Sequence, residues 1–183
     1  MRTLVVLLAV LFLGCSNGDD NTKQQEGVTY ALNSAGLQSL LEQSIPGDTI
    51  YLDTDGTFEG TFKIPSGVSI DGNNAQLVAT DAAGLILDSI SDDSTIRNIK
   101  INSERGGIVA FAGDDTANLI LENITVSVQR GFGIATENLN VTVKNVDIQG
   151  PISGADDPLL DELGEEINGA EHAILGFVSA FGQ

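Results

Sequence analysis

The sequence predicts an all-β chain wound into a parallel β-helix of about four coils, with a short capping helix at its N-terminal end. Three observations carry this prediction. Ile96-Arg97-Asn98-Ile99-Lys100-Ile101, Leu121-Glu122-Asn123-Ile124-Thr125-Val126 and Val143-Lys144-Asn145-Val146-Asp147-Ile148 share one pattern: aliphatic, polar, Asn, aliphatic, polar, aliphatic. A degenerate earlier copy, Gly72-Asn73-Asn74-Ala75-Gln76-Leu77, puts asparagines at 74, 98, 123 and 145, spaced 24, 25 and 22 residues apart. A second set, Gly84-Leu85-Ile86, Gly107-Ile108-Val109, Gly133-Ile134-Ala135 and Ala173-Ile174-Leu175, runs in the same order with nearly the same period. Aromatic residues make up only 5% of the chain and tryptophan is absent, which argues against a large mixed core.

The period dictates the architecture. Strands of three to five residues form no stable sheet locally, and each repeat leaves an apolar face unburied. Stacking successive coils buries those aliphatics in a continuous column and pairs the strands in parallel at a spacing of ~4.8 Å. Asn at the bend between two strands tolerates the left-handed backbone that a sharp corner needs. Its amide both donates and accepts, so Asn74, Asn98, Asn123 and Asn145 are expected to bond along the stack as a ladder.

At the start, Arg2 precedes an apolar run from Leu4 to Leu13. A span of the bilayer needs roughly twenty residues, so the run fits the core of an export signal instead. It ends in Leu11-Phe12-Leu13-Gly14-Cys15, which resembles a bacterial lipoprotein signal, although an aliphatic residue is usual where Phe12 stands. The resemblance implies that residues 1–14 are removed and that Cys15 is lipidated and joins the protein to a membrane. Ser16 after the cysteine implies the outer membrane in a two-membrane bacterium. The plainer alternative is an ordinary cleaved signal with an incidental thiol. Cys15 is the sole cysteine, so it forms no intramolecular disulfide. Residues 15–27 are polar and read as a flexible tether.

The folded domain is expected over residues 28–183. Ser34 reads as the N-cap of a helix over 34–45 whose Leu37, Leu40, Leu41 and Ile45 share one face and cover the first coil. Pro46-Gly47 ends it, and coils follow over 49–154. Asp157 and Pro158 then open an acidic amphipathic helix over 157–167. An incomplete last coil occupies 170–183. Three readings of that end stay open: the acidic helix folds over it, the chain is a truncated relative of longer β-helix proteins, or an end-to-end or heterologous partner covers the edge. Truncation is the expectation.

The stretch from Thr49 to about Gly154, including Pro46-Gly47-Asp48-Thr49-Ile50-Tyr51-Leu52 and Gly60-Thr61-Phe62-Lys63-Ile64-Pro65-Ser66-Gly67-Val68-Ser69-Ile70-Asp71-Gly72, resembles the pectin-lyase-like superfamily. The resemblance implies a right-handed coil. It says little about function, because this fold serves many activities.

Candidate chemistry is sparse. Arg105 and Arg130 precede equivalent glycines on successive coils, and two stacked guanidiniums repel unless an anion such as a uronate carboxylate lies between them. Resemblance to pectate lyases implies that such arginines would serve a polysaccharide groove together with acid-bound calcium. The plainer reading is that both turn into water or pair with Glu104 and Glu122. Asp92, Asp93, Asp114, Asp115 and Glu137 form an acidic corner that would suit Ca²⁺, which takes six to eight oxygens; a solvated row on an acidic protein is the plainer reading. His172 beside Glu171 lacks a nucleophile or second acid at defined spacing, and reads as a surface histidine.

The net charge of −18 argues against nucleic acid and against docking onto anionic lipid. The expected function is a non-catalytic cell-envelope lipoprotein with a β-helix binding or structural module for an extracellular glycan, without a cofactor. The alternative is a polysaccharide lyase or hydrolase, truncated and inactive.

Overall fold

The computed structural model describes residues 20–25, 27–112, 117–129 and 131–150, and the backbone of 174–177. The expected signal sequence over residues 1–14, Cys15, Asp114, Asp115, Arg130, the acidic segment 157–167 and His172 lie outside the described residues. Among the described residues no helix is long and apolar enough to cross a membrane.

The chain opens with strands β1 (Thr22–Gln25) and β2 (Val28–Asn33), followed by helix α1 (Ser34–Gln43). Next come β3 (Thr49–Glu59), β4 (Phe62–Lys63), β5 (Ser69–Asp71), β6 (Gln76–Ala79) and β7 (Ala83–Ile90). The remaining strands are β8 (Ser94–Ser103), β9 (Gly106–Ala112), β10 (Ala117–Val128), β11 (Phe132–Glu137), β12 (Leu139–Gln149) and β13 (Ile174–Phe177).

These strands make a parallel β-helix of about five turns rather than four. The added turn is the N-terminal one. β2 pairs in parallel with β3 through Tyr30–Tyr51 and Ala31–Leu52, so β2 and α1 are a coil of their own, with the helix as one side.

One sheet runs β1-β2-β3-β5-β8-β10-β12, with β6 between β3 and β8; the other runs β13-β11-β9-β7-β4. Strands of the first sheet bend at asparagines: φ is 53° at Asn98, 54° at Asn123 and 51° at Asn145. Each coil therefore has three sides, two from the bent strand and one from the second sheet.

Each side contributes a column to the core. Ile50, Ile70, Ile96 and Leu121 stack on the first side, and Phe58, Leu77, Ile101 and Val126 on the second. Phe62, Leu85, Ile108 and Ile134 stack on the third, and the Ile174 backbone is in register with Ile134. All twelve stacked side chains are buried. Burying one such side chain contributes about 1.5–3 kcal/mol. The coil is thin, and that explains the glycine preceding the repeated aliphatic pair. A Cβ on Gly107 would lie 2.3 Å from Val126 Cγ1 and 2.4 Å from Gly133 O.

Three expectations for the N-terminal end need correction. The helix is capped by Asn33, whose side chain accepts from Gly36 N at 3.0 Å, and not by Ser34, whose Oγ instead accepts from Glu59 N at 2.7 Å. Both residues suit a cap, and the one with extended backbone takes it. The helix stops at Gln43, so Ile45 falls past its end and is 65% exposed, while Leu37 and Leu41 are buried and Leu40 packs beside them.

The expected tether is also partly structured. Thr22–Gln25 pairs antiparallel with β2 and covers the otherwise open edge of the first coil. This strand needs no apolar residues, since its backbone bonds supply the pairing. Lys23 also forms an ion pair with the buried Asp53 and sits 5.3 Å above the Tyr30 ring.

Candidate functional site

Two stacked features run along the first corner. Asn145 donates its amide to Asn123 Oδ1, and Asn123 donates to Asn98 Oδ1, each at 3.0 Å. Asn98 in turn donates to Asp71 Oδ1 at 3.0 Å, so Asp71 takes the rung expected for Asn74. Asn74 contributes its backbone N–H to Asn98 O at 2.6 Å. The reason is a two-residue expansion of that corner: Ile70 pairs with Ile96, but Gln76 pairs with Lys100. The second feature is the outward column Asp71, Arg97, Glu122, Lys144, which alternates in sign. Its first step is an ion pair in which Arg97 Nε donates to Asp71 Oδ2 at 2.8 Å.

The second corner, where the bent strand leads into the second sheet, carries a groove of about 290 Å³. Ser103 fixes its floor. The Ser103 hydroxyl accepts from Gly106 N at 3.1 Å and Arg105 N at 3.2 Å, and donates to Ala82 O of the coil below at 3.0 Å. Backbone bonds from Glu104 N to Ala79 O and from Gln129 N to Ser103 O, both 3.0 Å, carry the stacking around the bend. Polar groups then line the groove coil by coil. Asn102 and Ser127 are register partners, and Thr80, Glu104 and Gln129 occupy the next position outward on three successive turns. Glu104 is the one ionisable residue among the lining residues.

A second cavity of about 330 Å³ lies between the first hairpin turn, the end of α1 and the start of β3, with Leu40, Gln43, Asp48 and Tyr51 in its wall. Its wall is built from the N-terminal cap and the first strand after it.

The expected arginine pair is half visible: Arg105 is half-buried just past the groove, and Arg130 is outside the described residues. Of the expected acidic corner, Asp92, Asp93 and Glu137 are described, and Asp114 and Asp115 lie outside the described residues. Asp92 Oδ2 accepts from the Ser66 and Ser91 hydroxyls, each at 3.2 Å. Asp93 Oδ1 accepts from Asn118 N at 2.9 Å and Asn118 Nδ2 at 2.8 Å, and these bonds hold the Asp93 carboxyl below its ordinary value of 3.8. Glu137 is half-buried at the end of β11, with Phe111 in register beside it. Among the described residues no three His, Cys, Asp or Glu side chains gather as metal ligands. Arg105 stands just before β9, whereas Asp92 and Asp93 follow β7, so the second sheet separates the arginine from the acids.

Reading the sequence for core and ladder missed the groove, although the signal was present. Asn102 and Ser127 each come four residues after a ladder asparagine, and Glu104 and Gln129 come six after. Comparison with protein-family models, curated proteins and solved structures finds no match to this chain.

Proposed function

We propose that this protein is a cell-envelope lipoprotein, anchored through Cys15, whose pectin-lyase-like β-helix is a non-catalytic module that binds an extracellular polysaccharide along the second-corner groove. One observation carries this reading: amide and hydroxyl side chains recur along the groove in register with the coils. A coil rise of ~4.8 Å is comparable to the length of a pyranose unit in an extended glycan. Asn102, Ser127, Gln129 and Thr80 therefore offer donors and acceptors to successive sugar hydroxyls. The net charge of −18 favours a neutral glycan over a polyuronate. Separation of Arg105 from Asp92 and Asp93 supports this reading over a lyase of the pectate type.

The test is calorimetric titration of the mature chain with neutral and acidic polysaccharides, alongside assays for new reducing ends and unsaturated product. Binding of a neutral glycan without turnover is expected, lost at least about tenfold in the Asn102→Ala/Ser127→Ala double variant. Binding that survives the double substitution, silence across the panel, or accumulation of cleaved product contradicts the proposal.

A further inference from the structure

β12 is the outermost described strand of its sheet, and its register partners all lie on β10. Among the described residues, its other edge pairs with no strand. Its inward row is less covered to match: Val143 is 41% exposed, whereas Leu121 directly beneath it is 0% exposed. A strand edge without a paired neighbour is a template for strand addition.

Two columns reach that edge with a defined polarity. Signs along Asp71, Arg97, Glu122 and Lys144 alternate, so the rung beyond Lys144 calls for a carboxylate. Each ladder asparagine donates to the one before it, so Asn145 Oδ1 is left as an acceptor and the next rung calls for an amide donor. Among the described residues, nothing pairs with Lys144 or donates to Asn145 Oδ1.

We infer that the edge of β12 docks a parallel strand of a second polypeptide, in which an acidic residue followed by asparagine sits among alternating aliphatics. The acid faces Lys144, the asparagine donates to Asn145, and the aliphatics cover Val143, Val146 and Ile148. The inference is independent of the glycan groove, which lies at another corner.

Strand β10 presents this chemistry to β12 in the required order, as Glu122-Asn123. A labelled synthetic peptide of residues 117–128 is therefore the probe, titrated with the full chain and followed by fluorescence anisotropy. Saturable binding is expected, about fivefold weaker for the peptide carrying Glu122→Lys. The preference between the two peptides inverts on protein carrying the surface change Lys144→Glu, after its far-UV circular dichroism is checked against the parent. Absence of saturable binding, equal affinity of the parent protein for both peptides, or a preference that Lys144→Glu leaves in place overturns the inference.

Discussion

Asn123 donates its amide to Asn98 Oδ1 at 3.0 Å, across one coil step and 25 residues of sequence. Both residues have left-handed backbone, with φ of 54° and 53°. One residue type thus meets two demands, a tight corner and a bond between coils.

Those demands separate by substitution. Asn123→Ala keeps a Cβ in the left-handed region without the short polar side chain that tolerates it, removes two exposed amide bonds, and is expected to lower the unfolding free energy by about 2 kcal/mol. Asn123→Gly keeps the backbone unstrained and loses only the bonds, for about 1 kcal/mol. Urea titrations followed by circular dichroism give the order, and a more damaging glycine would contradict the double role.

Asp71 closes the ladder and holds Arg97. Asp71→Asn retains an acceptor for Asn98 but loses the ion pair, at about 0.5–1 kcal/mol because the Arg97 side chain is 43% exposed. Asp71→Ala loses both and costs about 2 kcal/mol. The Asp71→Asn deficit shrinks when unfolding is repeated in 1 M salt, roughly a 3 Å screening length. A deficit insensitive to salt argues against an electrostatic role.

Asp93 gives a pH signature. Its carboxyl is held below 3.8 by the Asn118 backbone and side-chain bonds. A depressed folded value means that its stabilising contribution is complete above 3.8 and is lost as pH falls through the lower folded value. Asn118→Ala leaves the backbone bond and removes the side-chain one, so Asp93 titrates at higher pH in that variant by carboxyl-detected NMR. An unchanged titration rules out the side-chain bond as a cause.

Gly107 tests how thin the coil is. Gly107→Ala drives a methyl into Val126 and the Gly133 carbonyl, and is expected to cost about 3 kcal/mol or to abolish folding. Thermal melts that differ from the parent by only a degree or two would show that the coils part easily.

Much of this architecture is legible in the sequence because period and chemistry coincide. Asn98, Asn123 and Asn145 recur at the corner, and Gly84 and Gly107 recur where two sides of the coil approach. The misplacements share a cause, which is local geometry that leaves the period untouched. Two extra residues near Gly72 hand the rung of Asn74 to Asp71. Asn33 and Ser34 are both good caps, and only backbone conformation separates them. Thr22–Gln25 carries no apolar pattern, because its pairing is made by backbone groups. The groove was harder to see: outward residues are polar on every coil, and Asn102, Ser127 and Gln129 stand out only once the corner that gathers them is known.

Stacking itself is tested most directly by distances along one outward row, Thr57, Gln76, Lys100, Thr125 and Asp147, whose members pair coil to coil. With Cys15 replaced by Ser, spin labels at Thr57 and Thr125 should report backbone separations of about 14 Å, and labels at Thr57 and Asp147 about 19 Å, one coil step of ~4.8 Å more. Equal separations, or a second distance shorter than the first, would contradict parallel coils rising one above the next.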